Sequence, residues 1–208
     1  TLNSMNNLAM LHERQGKYDL ALPLFEKTLE ARRRVLGEDH PGTLNSMNNL
    51  AVLYQDQGKY DLALPLYEKA LEAMRRVLGV EHSDTISTMM NIGSLYYRQG
   101  KYDLALPLLE EVFELRRRVL GKNHWDTLNT QGWLGNCLME KSSYTKAEPL
   151  LLDLSQRCVS TLGNKDSYTR RSIDYLVLLY TKWNKPEEAA KWKAKLPKKE
   201  QKPPEKKK

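Results

Sequence analysis

Apolar positions along most of the chain recur with the period of an α-helix. In the stretch 43–79 the first apolar stripe has the spacing i, i+3, i+4, i+7, which lies on one side of a helix. It comprises Met47, Leu50, Ala51 and Tyr54. Gly58 then interrupts the pattern, and Gly is common just past a helix end. A second helix is predicted from about Tyr60 to Leu78, and its stripe comprises Ala63, Leu66, Tyr67, Ala70 and Leu71. The pattern predicts two helices joined by a tight turn.

This two-helix pattern returns every 42 residues. The string QGKYDLALPL stands at 15–24, 57–66 and 99–108, and the copies 1–42 and 43–84 are identical at 31 of 42 positions. One helix pair cannot bury its apolar face alone, so neighbouring pairs must stack. No strand-like alternation persists anywhere in the chain, which excludes a propeller. The sequence therefore predicts an all-α array of antiparallel helix pairs.

The chain divides into copies of decreasing regularity. We predict repeats at 1–42, 43–84 and 85–126, a degenerate repeat at 127–168, a truncated capping helix pair at 169–196, and a Lys/Pro-rich tail at 197–208. The chain opens at Thr1 inside the repeated pattern, so we expect it to be a piece of a longer protein.

The repeated residues resemble a known family. The small and aromatic positions Leu50, Ala51, Tyr54, Ala63, Tyr67 and Ala70, with the NNLA run, the GKY turn and the VLG…H ending, resemble the tetratricopeptide repeat. The repeat length of 42 residues is similar to that of the long subtype found in kinesin light chains and nephrocystin-like proteins. The resemblance is strong over 1–163 and weak over 164–196. It implies a right-handed α-solenoid whose first helices line a concave, peptide-binding groove. Armadillo and HEAT repeats have similar lengths but lack this turn.

One face of the first helices varies while the joint stays constant. Met10 becomes Val52 and Arg14 becomes Asp56 between two otherwise similar copies, on the side away from the main apolar stripe. We predict this face to be the peptide-binding surface. Its candidate residues are Asn3, Asn6, Asn7, Met10, Arg14, Asn45, Asn48, Asn49, Val52, Asp56, Asn91, Ser94, Tyr97, Arg98, Trp133 and Asn136.

Three asparagines mark that face once per copy. Asn7, Asn49 and Asn91 could hold the backbone of an extended peptide, because a carboxamide both donates and accepts. The resemblance implies the same use. The alternative is that these side chains bond neighbouring helices and stabilise stacking. In copies four and five Trp133 and Tyr175 take the equivalent place, where we expect an aromatic surface to begin.

The basic charge belongs to the tail and not to the repeats. The net charge is +7, and residues 191–208, with nine Lys and two Glu, account for all of it. A Lys/Pro/Glu tail has little apolar surface, so we expect most of it to be disordered and nucleic acid binding to be confined to it. Two cysteines without C-x-x-C spacing fit a reducing, cytoplasmic setting.

No pattern of catalytic chemistry emerges. His40, His82 and His124 recur at one phase, but successive copies are too far apart for the histidines to converge on a metal, so we interpret them as residues at helix starts. We expect no enzyme activity, cofactor, small-molecule substrate, metal or membrane span. The predicted function is a protein-interaction module that binds an extended segment of a partner. The alternative is a structural or oligomerising spacer attached to a signalling or catalytic domain outside this chain.

Overall fold

The computed structural model describes residues 1–196, which contain ten α-helices and no strand. The helices are α1 (Leu2–Arg14), α2 (Tyr18–Leu36), α3 (Pro41–Asp56), α4 (Tyr60–Val77), α5 (Ser83–Arg98), α6 (Tyr102–Val119), α7 (Trp125–Glu140), α8 (Tyr144–Leu162), α9 (Ser167–Lys182) and α10 (Pro186–Ala194). The predicted all-α architecture of helix pairs is confirmed. The tail 197–208, which we expected to be disordered, lies outside the described residues.

The turn inside each helix pair has one backbone design in all five copies. At Gly58 φ is +73°. The Gly58 N–H donates to the Gln55 carbonyl at 3.0 Å, and the Lys59 N–H donates to the Tyr54 carbonyl at 2.8 Å, which together close the helix end. Ser142 and Asn184 take the equivalent place in the degenerate copies, each with φ of +56°. The turn is therefore kept even where its glycine is lost.

From the second repeat on, the first helix of each pair begins before the threonine that opens the predicted repeat. α3 starts at Pro41, and His40 caps it, because the His40 Nδ1 accepts the Gly42 N–H at 3.0 Å. His82 and His124 accept the N–H groups of Asp84 and Asp126 at 3.2 Å in the same way. The recurrent histidines are thus helix caps. Asp166 has this role for α9.

Residues Thr1–Lys122 form the first of two compact units. Its six helices bury apolar residues where small side chains face large ones. Ala9 and Phe25 share a buried cluster with Met47, and Ala51 shares another with Tyr67. This alternation lets paired helices approach closely, and it is what the repeated small residues predict.

The second unit begins at Asn123 and contains α7–α10. Gly135 allows α7 to approach α8, since a Cβ there would lie 2.4 Å from the Leu151 Cδ2. Cys137 and Cys158 are buried and form no disulfide. Tyr175 is only 8% exposed, and its ring would lie 2.9 Å from a Cβ on Gly132. The expectation that Tyr175 belongs to an aromatic surface is wrong, because that ring fills the space Gly132 leaves.

Candidate functional site

The candidate peptide surface of the first unit lies on the first helices α1, α3 and α5. We call it the first-helix face, and it comprises Asn7, Met10 and Arg14 of α1, Asn49, Val52 and Asp56 of α3, and Asn91, Ser94 and Arg98 of α5. α3 contacts both α1 and α5, so the three helices lie side by side. The fold therefore brings these predicted residues of the first three copies together.

Asparagines on this face are bonded from one repeat to the next. The Asn49 Nδ2 donates to the Asn6 Oδ1 at 3.2 Å, and the Asn91 Nδ2 donates to the Asn48 Oδ1 at the same distance. The Thr88 hydroxyl also donates to the Asn48 Oδ1 at 3.2 Å. Asn7, Asn49 and Asn91 form a row of one asparagine per repeat, which we call the ladder. Two of its members, Asn49 and Asn91, thus link adjacent repeats, which is the structural alternative raised by the sequence.

Part of the hydrogen-bonding capacity of the ladder is unused. Among residues 1–196, no group donates to the Oδ1 of Asn49 or Asn91, and neither oxygen is enclosed by the fold. Asn7 is exposed and its side chain bonds to no described residue. The inter-repeat bonds fix the orientation of two carboxamides while leaving their oxygens available as acceptors.

Other predicted asparagines have partners within the scaffold. The Asn3 Oδ1 accepts from Arg32 at 2.7 Å, and Arg32 also donates to the Gly42 carbonyl at 2.9 Å. The Asn45 Nδ2 donates to the Asp84 Oδ2 at 3.0 Å. The contacts of Asn3 and Asn45 therefore tie α1 to α2 and α3 to α5.

Ser94 lies deeper than its predicted role requires. It is 8% exposed, and its hydroxyl accepts from the Gln55 Nε2 at 3.3 Å and donates to the Asn91 carbonyl at 2.9 Å. Gln55 in turn accepts from the buried Tyr67 hydroxyl at 3.3 Å. This buried chain of hydrogen bonds connects the second repeat to the third beneath the first-helix face.

Charged groups gather at the carboxyl ends of the first helices. The Arg98 Nη2 lies 3.9 Å from the Asp56 Oδ1. Burial, and secondarily the negative Asp56, raise the pKa of Glu13 to about 7, while Arg14 opposes the shift. The Glu13 Oε1 is buried and has no hydrogen-bond partner among residues 1–196. Glu13 is not among the predicted site residues. Only its replacement by Gln55 and Tyr97 in later copies could have suggested it.

Two further features complete the predicted surface. A hollow of about 260 Å³ on α1 is lined by Asn7, Met10, Leu11 and Arg14. The Tyr97 ring packs edge-on against Tyr102, with centroids 5.4 Å apart. The surface of α1 thus offers a small recess beside the unbonded carboxamide of Asn7.

Two predicted residues lie on α7 in the second unit. Trp133 and Asn136 are half-buried, and the buried Asn136 Oδ1 accepts no hydrogen bond from residues 1–196. Burial raises the pKa of Tyr175, while Arg171 and, to a smaller extent, Asn136 oppose the rise. Asn136 of α7 therefore lies beside Tyr175 of α9.

Comparisons with known proteins agree with this architecture. Residues 1–76, 47–118 and 84–132 match the family model described as tetratricopeptide repeat. No curated protein sequence matches the chain. Among solved structures, a putative kinesin light chain of Podosopora anserina with nearly identical TPR-like repeats matches with a TM-score of 0.84 and 24% identity. That match covers 94% of this chain and 92% of the other.

Two further structures share the fold at lower identity. BtubC (BKLC) from P. vanneervenii matches with a TM-score of 0.76 and 18% identity, over 97% of this chain and 83% of that one. MamA from Desulfovibrio magneticus RS-1 matches with a TM-score of 0.65 and 15% identity, over 94% and 92%.

The stacked helix pairs define an all-α interaction scaffold, a fold that supports protein–protein contacts. The chain belongs to the tetratricopeptide repeat family, and its fold is similar to that of kinesin light chain-like repeat proteins. Within residues 1–196, no helix has the length and apolar character needed to cross a bilayer.

Proposed function

We propose that the first-helix face binds an extended peptide segment of a partner protein. The observation that carries the proposal is the half-used ladder. The carboxamides of Asn49 and Asn91 are held by the preceding repeat, and their oxygens remain open as acceptors. An acceptor that is already oriented loses less conformational freedom on binding than a free side chain.

The spacing of the ladder suits an extended chain. Packed helices lie about 8–10 Å apart, and an extended peptide advances about 3.3 Å per residue. Successive asparagines would therefore meet backbone N–H groups about three residues apart, which point to the same side when the peptide is in the polyproline II conformation. A segment of about seven residues spans Asn7, Asn49 and Asn91.

The residues beside the ladder would select the sequence of the peptide. Met10 and Val52 occupy one phase, and Arg14, Asp56 and Arg98 occupy another, so the repeats offer different neighbours. Ser94, at the phase of Met10, is buried and takes no part in the selection. Exposed Arg14 and Arg98 would favour an acidic residue, whereas Asp56 would oppose one.

The test is a calorimetric titration with a peptide selected from a random library on the whole chain. Asn7→Ala should weaken peptide binding by about 1–2 kcal/mol and leave stability unchanged, since the Asn7 side chain bonds to none of residues 1–196. Asn123→Ala, an exposed loop change outside the first-helix face, is the matched control and should alter neither quantity.

A structural spacer is the second candidate, and the Asn6–Asn49 and Asn48–Asn91 bonds favour it. Under that function Asn49→Ala would lower the free energy of unfolding by about 1 kcal/mol, the scale of one lost hydrogen bond. Neither it nor Asn7→Ala would then change peptide affinity. Retained affinity in both variants would favour the spacer over the peptide-binding module.

A further inference from the structure

A second recess lies in the second unit, away from every predicted site residue. It has a volume of about 670 Å³ and lies between α8, α9 and α10. Leu152 and Val159 of α8, Ile173 of α9 and Trp192 of α10 form its apolar lining. Leu152 and Val159 remain 37% and 39% exposed. The volume is within the range of about 300–1,000 Å³ that is typical of binding sites.

The apolar lining is a specific departure of the fourth copy. Where copies one to three have Glu26, Glu68 and Glu110, copy four has Leu152. Where they have Arg33, Arg75 and Arg117, it has Val159. A third glutamate position, Glu30 in the first copy, becomes Gln156. All three changed positions line the recess, so this surface of α8 has lost the charges that its counterparts carry.

In the second repeat the equivalent space is filled by the helix itself. The second half of α4 contributes Ala70, Ala73 and Met74 to a buried cluster that contains Leu29 and Met47. Ser155 and Ile173 are the counterparts of Leu29 and Met47, and both line the recess. In the second repeat, the second half of α4 covers Leu29 and Met47. The recess is the equivalent space beside α8, and it is open.

The second helix of the last pair, α10, is too short to have a counterpart of the second half of α4. α10 has 9 residues and ends at Ala194, whereas α4 has 18. The sequence positions equivalent to Ala73 and Met74 are Lys199 and Glu200, and residues 197–208 contain no large apolar side chain. Residues 197–208 therefore supply no large apolar side chain that could cover the lining.

We propose that this recess binds an amphipathic helix of a partner protein, which takes the place of the missing half of the last second helix. Its buried face would carry small or apolar residues spaced i, i+3 and i+4, as Ala70, Ala73 and Met74 do in α4. Within residues 1–196, the charged residues that line the recess are Lys165 and Lys195, and both are exposed. The partner helix therefore has acidic residues beside its apolar face.

The experiment uses a labelled, stapled helical peptide with the sequence of residues 70–77, ALEAMRRV, carrying Arg75→Glu and Arg76→Glu. A second peptide keeps both arginines. Fluorescence anisotropy with the full chain should show saturable binding that is stronger for the acidic peptide. Combined Lys165→Glu and Lys195→Glu substitutions should reverse that order.

The decisive variant, Leu152→Glu with Val159→Arg, introduces the residues that copies one to three have at these positions. The repeats tolerate these residues at the same phase, so helicity and melting temperature should stay unchanged while affinity falls at least about tenfold. Leu178→Glu, at an exposed apolar position outside the recess, is the control and should leave binding intact.

Three results would overturn the proposal. One is the absence of saturable binding, or binding that Leu152→Glu with Val159→Arg does not weaken. Another is self-association of the wild-type chain in sedimentation that this double variant abolishes, which would assign the recess to a second copy. The third is a gain of about tenfold or more in peptide affinity on deleting residues 197–208, which would make the tail the occupant.

Discussion

Glu13 should make the stability of the first unit depend on pH. Burial, and then Asp56, raise its pKa from the ordinary value of 4.5 to about 7. Between these values the folded chain holds a proton that the unfolded chain releases, so the free energy of unfolding falls as pH rises through this window. Above about pH 7 the penalty is fully present. Below pH 4.5 it vanishes, because both states are protonated.

The size of the effect follows from the shift in proton affinity. Each pKa unit is worth about 1.4 kcal/mol, so the rise from 4.5 to about 7 can lower the free energy of unfolding by at most about 3.4 kcal/mol. Glu13 is only half-buried, and solvent screening reduces this to about 1–2 kcal/mol. Glu13→Gln keeps the shape and removes the titration. It should stabilise the protein by that amount at pH 8 and change little at pH 4.5.

The assay is urea unfolding followed by circular dichroism at several pH values between 4 and 8.5, for wild type and Glu13→Gln. Glu30→Gln, at an exposed position on α2, is the control and should run parallel to wild type. Equal pH dependence in wild type and Glu13→Gln would refute the argument. So would a variant that is less stable than wild type at pH 8.

Three other changes test the scaffold. Ala63→Leu should lower stability by about 1–3 kcal/mol in thermal melts, because Ala63 is fully buried beside Tyr67, and an unchanged melting temperature would contradict this packing. Ser142→Gly should raise stability by about 0.5–1 kcal/mol, because Ser142 has φ of +56°, and a loss would show that the serine contributes an interaction of its own. Deleting 197–208 should leave helicity and the melting temperature unchanged, and it should weaken any binding of nucleic acid. Binding that survives the deletion would place the basic site in the repeats.

The sequence predicted the scaffold well because its signals are local and repeated. The helical spacing around Leu50 and the break at Gly58 indicate both helices of a pair, and α4 ends at Val77, one residue before the predicted end. The equivalence of Ser142 to that glycine could be read from the phase, although its φ could not. Apolar periodicity and chain breaks thus carry most of the fold.

Details that depend on side-chain conformation were out of reach. The spacing placed His40 near a helix start, but its bond to the Gly42 N–H depends on the ring orientation, so the start at Pro41 was missed. The phase of Asn49 showed its face without showing whether its amide meets Asn6 or solvent. The burial of Glu13 depends on the neighbouring repeat, which one helix pattern does not describe.

The central claim is that the Asn49 carboxamide bonds the backbone of a bound peptide, and a double-mutant cycle tests it directly. A selected peptide is N-methylated at each amide in turn, and each version is titrated calorimetrically against wild type and Asn49→Ala. We expect one N-methyl group to weaken binding to wild type by about 1–2 kcal/mol and binding to Asn49→Ala far less, a coupling of about 1 kcal/mol. Additive losses at every amide of the peptide would contradict the claim.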